Sequence, residues 1–207
     1  MKKLLMLSVS AFLSFGADLP ARAQTSHNPF AGAPTRYSVY GVTASKTGAN
    51  LTMRMYVDGN KRRTEQETNN GQLVLILRGD MNLIYTVIVS RKVYRIGPLD
   101  PSLLASLDAY EFPRGMIVSH EKVATETVKG QVCDKYSFSS ARGEKKSSAG
   151  SDTATSGYIW ISQATHLPVM SKTEGATTEW INLNVGPQDS SLFEPPAEYQ
   201  QAKQRGV

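Results

Sequence analysis

Between residues 37 and 199 the chain is cut by closely spaced turn signals into short segments of alternating side chains, and this pattern constrains the fold more than any other feature. Tyr37, Val39 and Gly41 alternate with Ser38, Tyr40 and Val42. Leu51 to Val57 is apolar at every odd position and polar at Thr52 and Arg54, the period-2 signature of a half-buried strand. Asp58-Gly59 follows as a hairpin signal, because both residues tolerate positive φ. The next segment, Lys61 to Glu67, is almost wholly polar and reads as a solvent-facing or edge strand. Asn69-Asn70-Gly71 then turns the chain into Leu73-Val74-Leu75-Ile76-Leu77, apolar on both faces as in a central strand covered on each side. Gly79-Asp80 leads into Leu83 to Val89, and Ser90-Arg91-Lys92 into Val93-Tyr94-Arg95-Ile96.

One helix signal interrupts the strands. Asp100 can cap, Pro101 suits the first helical position, and Leu103, Leu104 and Leu107 share a face. Gly97-Pro98 and Pro113-Arg114-Gly115 bracket it. Strands resume with Met116 to Val128 and Gln131 to Ser139, a hairpin around Lys129-Gly130. Ala141 to Thr155 is rich in Ser, Gly, Lys and Thr and reads as a flexible loop. Tyr158 to Ile161, His166 to Met170, and a last strand marked by Trp180, Ile181, Leu183 and Val185 complete the series. The expected fold is mainly β: roughly ten strands in up-and-down order form a strongly curved antiparallel sheet. This is an incomplete half-barrel, covered by a short helix.

The N-terminus reads as an export signal. Met1-Lys2-Lys3 is a basic n-region, Leu4 to Ala17 is uncharged and largely apolar, and Ala21-Arg22-Ala23 fits the small-x-small cleavage rule. The apolar run is shorter than the roughly 20 residues a membrane span needs. Cleavage between Ala23 and Gln24 is expected, with no cysteine beside it to carry lipid, so the product has no permanent membrane anchor. The expected organisation is a signal peptide at 1–23, a flexible leader at 24–36, one half-barrel domain at 37–199 with a flexible loop at 141–155, and a disordered tail at 200–207. Losing Lys2, Lys3 and Arg22 against Asp18 lowers the formal charge from +5 by two, to +3. The remaining charges are well mixed, and the densest cluster, Lys61-Arg62-Arg63, stands beside a turn, so a nucleic-acid partner is not expected. Cys133 is the only cysteine, which excludes an intrachain disulfide.

Catalytic signals are sparse. His27, His120 and His166 show no metal-ligand spacing, and neither a metal nor a cofactor is expected. The sharpest enzymatic idea is a Cys133–His120 pair. With a two-residue turn at Lys129-Gly130, Val128 pairs with Gln131 and Cys133 faces Glu126, while His120 lies opposite Ser139. That is roughly 20 Å away at about 3.3 Å per residue, far beyond hydrogen-bond reach. No catalytic residue is assigned. Arg78-Gly79-Asp80 spells an adhesion tripeptide but falls where a turn is needed anyway. What stands out is apolar: Met53 and Met55 share a strand face, and Tyr85, Trp160 and Trp180 lie on other strands. These five either fill the core or line a lipid-sized cavity, and they are the candidate ligand-binding residues.

The ordered features Leu51–Val57 with Asp58-Gly59-Asn60-Lys61-Arg62, Leu73–Arg78 with Asp80, Leu83-Ile84-Tyr85 and Val93-Tyr94 form a familiar series. It continues with Glu126-Thr127-Val128-Lys129-Gly130-Gln131, Tyr136, Trp160-Ile161, Leu167-Pro168-Val169 and Leu192-Phe193-Glu194-Pro195-Pro196-Ala197-Glu198-Tyr199. Over most of residues 37–199 the chain resembles the periplasmic outer-membrane lipoprotein carrier-like (lipoprotein-sorting-like) superfamily, in a branch of small exported proteins. The resemblance implies a curved antiparallel sheet closed over an apolar concavity, and a group whose members bind lipid moieties or sense envelope state. It carries over no ligand-binding residue. The expected function is a periplasmic, non-enzymatic protein that binds a lipid or other apolar ligand in the half-barrel. The alternatives are a secreted location, and a structural or regulatory envelope module that docks a protein partner through a sheet edge or the 141–155 loop.

Overall fold

The computed structural model describes residues 29–48, 50–68, 71–100, 116–142 and 155–202. Among the described residues twelve strands form one sheet: β1 (Arg36–Ser45), β2 (Asn50–Asp58), β3 (Lys61–Thr68), β4 (Gly71–Arg78), β5 (Leu83–Ile88), β6 (Val93–Pro98), β7 (Met116–Val128), β8 (Gln131–Arg142), β9 (Thr155–Ser162), β10 (Pro168–Thr173), β11 (Ala176–Val185) and β12 (Gln200–Gln201). The sheet is antiparallel apart from a short parallel pairing of β12 with β6, and it is open rather than closed into a barrel. The expected mainly-β, curved antiparallel architecture is therefore the observed one. The helix expected after Asp100 lies outside the described residues, as do the signal peptide, the 143–154 stretch and the last five residues.

The order across the sheet is β12-β6-β5-β4-β3-β2-β1-β11-β10-β9-β8-β7. This corrects the single up-and-down series read from the sequence. Two meanders, β1 to β6 and β7 to β11, are joined where β1 pairs with β11. β6 and β7, consecutive among the described strands, consequently stand at opposite sides of the sheet. The twelfth strand was not foreseen, because two polar residues, Gln200 and Gln201, carry no periodic signal.

Register assigns each side chain to a face, since directly paired residues share one. On the inner face, Tyr37, Val39, Met55 and Val57 of β1 and β2 pack in one cluster with Tyr136, Phe138, Ile159 and Ile161 of β8 and β9. β11 and β10 separate these strand pairs in the sheet, so the inner face bends round to bring them together. Phe30 and Leu167 complete this core. A second core lies on the outer face at the other end, where Val74, Ile76, Tyr85 and Val87 sit beneath Phe193. A third, also on the outer face, joins Cys133, Trp160 and Val169.

β3 is neither an edge strand nor a solvent-facing one, contrary to its polar sequence. It pairs along its length with both β2 and β4. Its charges are tolerated because they are used: Arg63 Nε donates to Glu65 at 2.7 Å, Arg63 Nη1 donates to the Leu192 carbonyl at 3.0 Å, and Arg62 is buried. The turn before it is also displaced by one residue. Asp58 pairs with Lys61, so Gly59 and Asn60 make the turn; Gly59 alone has positive φ (+62°), the pattern of a II′ hairpin. Lys129-Gly130 forms its turn as expected, with both residues at positive φ.

Candidate functional site

The inner face of β2 to β6 is built by alternation. Leu73, Leu75 and Leu77 of β4 pair with Ile88, Thr86 and Ile84 of β5, and Ile88 pairs in turn with Val93 of β6. On the other side, Leu77 faces Arg62, Leu75 faces Thr64, and Leu73 faces Gln66 of β3. Met53 and Met55 of β2 continue the same face. Leu77 is buried, whereas Leu73, Leu75, Ile84, Ile88 and Val93 keep part of their surface open. The outer face of the same strands is different: Val74, Ile76 and Val87 have at most 1% of their surface exposed.

That asymmetry comes from the C-terminal segment. After β11, residues 186–202 return across the outer face through a short 3-10 turn (Ser190–Phe193), capped where the Asp189 carboxylate accepts the Ser191 backbone N–H. Arg78 anchors the segment. Its guanidinium holds Asp80 by two bonds of 2.8 Å, donates to the Phe193 carbonyl and is paired with Glu194. The Arg78 hydrogen bond holds the Asp80 carboxyl below its usual range. The adhesion tripeptide is thus engaged with itself and with the chain's own C-terminal segment. Sequence reasoning missed this covering role, because the Arg78–Glu194 contact joins residues far apart in the chain.

Charge on this inner face has one sign. Its charged residues from β2 to β6 are Arg62, cross-strand from Val57, and Arg95, cross-strand from Thr86; among the described residues of these strands no Asp or Glu side chain lies on it. Among the described side chains this surface is therefore apolar with two arginines and three uncharged polar residues, Thr64, Gln66 and Thr86.

The five residues singled out from the sequence do not converge. Met55 is fully buried in the inner core, with Tyr37 Oη 4.0 Å from its sulfur, and Met53 and Trp180 pack half-buried against that core. Trp180 lies against Gly41, where a Cβ would fall 2.8 Å from the indole. Tyr85 and Trp160 are on the outer face, in two separate clusters. The inner-face leucines and isoleucines of β4 and β5 were not singled out from the sequence, because an unbroken apolar run does not say which of its residues are sealed and which stay partly open.

The Cys133–His120 pair fails on geometry. Val128 pairs with Gln131 and Glu126 with Cys133, as the turn implies, but a bulge at Val123 shifts the ladder beyond it, so His120 meets Phe138 instead of Ser139. The bulge places His120 on the inner face, edge-on to Tyr136 at 6.1 Å, and Cys133 on the outer face. Burial pushes the Cys133 thiol above its ordinary value, the opposite of what a nucleophile needs. Its cross-strand neighbour Ser162 has a buried hydroxyl with no hydrogen-bond partner among the described residues. Among those residues no group of three His, Cys, Asp or Glu is placed to hold a metal, and no helix is long and apolar enough to cross a membrane.

No family model matches the chain, and no curated protein matches it in sequence. Solved structures do. An uncharacterized conserved protein from Thermus thermophilus superposes with a TM-score of 0.54 at 11% identity, over 84% of this chain and 91% of that one. MucB in complex with MucA(peri) matches with a TM-score of 0.48 at 15% identity, covering 85% of this chain and 60% of that one. A LolA superfamily protein from Nitrosomonas europaea matches with a TM-score of 0.35 at 10% identity, over 79% and 90% of the two chains. The last of these carries the name of the superfamily that the sequence resembles. At these identities the likeness is one of fold.

Proposed function

We propose that this chain is an exported, non-enzymatic envelope protein that holds a lipid or similar amphiphile against the inner face of its half-barrel. The observation that supports the reading is the difference between the two faces of β4 and β5. The outer face is sealed by the chain's own C-terminal segment, while inner-face Leu73, Leu75, Ile84 and Ile88 remain partly open. A contiguous apolar surface on the concave side of a curled sheet is the arrangement that binds apolar ligands in barrel-like folds. Arg95, on a face where no acidic side chain lies among the described residues of β2 to β6, favours an anionic head group on the amphiphile.

Titration with the neutral apolar fluorophore N-phenylnaphthylamine tests this. The native protein should show saturable enhancement, and Leu75→Asp should abolish it while leaving the outer-face core and its melting transition in place. Enhancement that never saturates, or that Leu75→Asp leaves unchanged, would contradict the reading.

The partner-docking alternative finds its longest described sheet edge in the outer backbone ladder of β7, which no described strand pairs. That edge carries a bulge at Val123 and exposed Glu121, Lys122 and Glu126, features that discourage added strands. The inner face is therefore the preferred site.

A further inference from the structure

The outer face of β8, β9 and β10 carries a second surface, independent of the inner face. Register sets two rows across it: Ser137–Tyr158–Lys172 and Lys135–Trp160–Met170. Lys135 Nζ lies 4.7 Å from the Tyr158 ring centre and 4.8 Å from that of Trp160, and 3.3 Å from the Glu126 carboxylate. Trp160 Nε1–H donates to the same carboxylate, a hydrogen bond that holds Glu126 ionised at lower pH than usual. Trp160 and Lys135 are thereby fixed in place. Tyr158 is the exception: it stays 44% exposed beside a tryptophan that is 6% exposed. A groove of about 540 Å³ opens around it, lined also by Ser137, Ser156, Lys172 and Glu174.

The geometry points to a saccharide site, with a pyranose ring stacked on Tyr158. Lys135 lies over one face of the tyrosine ring, and the exposed remainder of the side chain is the surface offered to a ligand. The negative ring face suits the weakly positive C–H edges of a sugar better than another anion. Charge decides between a sugar and an anion here: Lys135 and Lys172 are matched by Glu126 and Glu174, so the groove has no net positive field. What remains around the ring are hydroxyl, ammonium and carboxylate groups, which together donate to and accept from sugar hydroxyls.

Saturation-transfer NMR with chitotriose, and separately with maltotriose, tests the site and separates an N-acetylated from a plain glucan ligand. At least one trisaccharide should bind at millimolar concentration, with its ring protons receiving saturation. Tyr158→Ala should weaken it roughly tenfold, the scale of one lost aromatic contact. Because Tyr158 is exposed, that variant should melt within a few degrees of the native protein, and Lys172→Ala should weaken binding without touching the ring. Absence of binding by both sugars, or binding that survives Tyr158→Ala in a folded protein, overturns the proposal. Neither outcome depends on whether the inner face takes an amphiphile.

Discussion

At the scale of single residues, two methionines on one strand face divide into different roles. Met55 is fully buried, so Met55→Ala should cost about 2–5 kcal/mol in urea unfolding. Met53 is only half-buried, and Met53→Ala should weaken the apolar probe more than it weakens the fold. Glycines report close approach: Gly41→Ala drives a Cβ to 2.8 Å from Trp180 and should cost about 1–3 kcal/mol, partly recovered when Trp180 is shortened to Leu. At Gly157 the added Cβ would collide with the Lys172 backbone carbonyl, so no side-chain change can recover Gly157→Ala. Ser162→Ala should be neutral or stabilising, since it deletes a buried hydroxyl that has no hydrogen-bond partner among the described residues. Titration behaves asymmetrically. Burial raises the folded-state value of Cys133, so its contribution is complete below the unfolded thiol value near ~8.5 and is lost as pH rises above it. Asp80 is lowered by Arg78. Asp134 is pushed up by burial but lowered overall by Lys122, Gln163 and Thr125. Both carboxylates stabilise the fold above about pH 3.9, and that stability is lost as pH falls through their depressed values. Chemical denaturation across pH should therefore show an alkaline loss that Cys133→Ala reduces and an acid loss that it leaves alone.

At the scale of elements, the C-terminal segment is the part the sequence conceals best. The alternation of β1 and β2 and the Lys129-Gly130 turn could be read directly, because strand period and turn chemistry are local. The cover over β4 and β5 depends on Phe193, whose buried neighbours Val74, Ile76, Tyr85 and Val87 all come from the first meander. Phe193→Ala should cost about 3–5 kcal/mol and expose the outer face to apolar dyes. The polar sequence of β3 misleads for a related reason. Arg63 finds Glu65 two residues along its own strand and also the Leu192 carbonyl, a partner that only tertiary structure supplies, so a strand that looks like an edge sits in the middle of the sheet. The bulge at Val123 is a third case: it is invisible in the sequence, yet it moves His120 by one position and settles which face it occupies.

At the scale of the whole molecule, fold class followed from the pattern of strands and turns, while strand order did not. Pairing of β1 with β11 makes the first and last long strands neighbours and bends the sheet around one inner core, a contact that no local signal encodes. The candidate site was legible in the same partial way. Methionines and aromatics drew notice by chemical type, yet register sends Tyr85 and Trp160 outward and leaves the β4 and β5 aliphatics to line the concave side. The inner face is the surface proposed to hold an apolar ligand. Native mass spectrometry of the protein, purified without detergent, tests it most directly. We predict one adduct of lipid mass per chain, absent from Leu75→Asp; a native spectrum of the apo mass alone would contradict it.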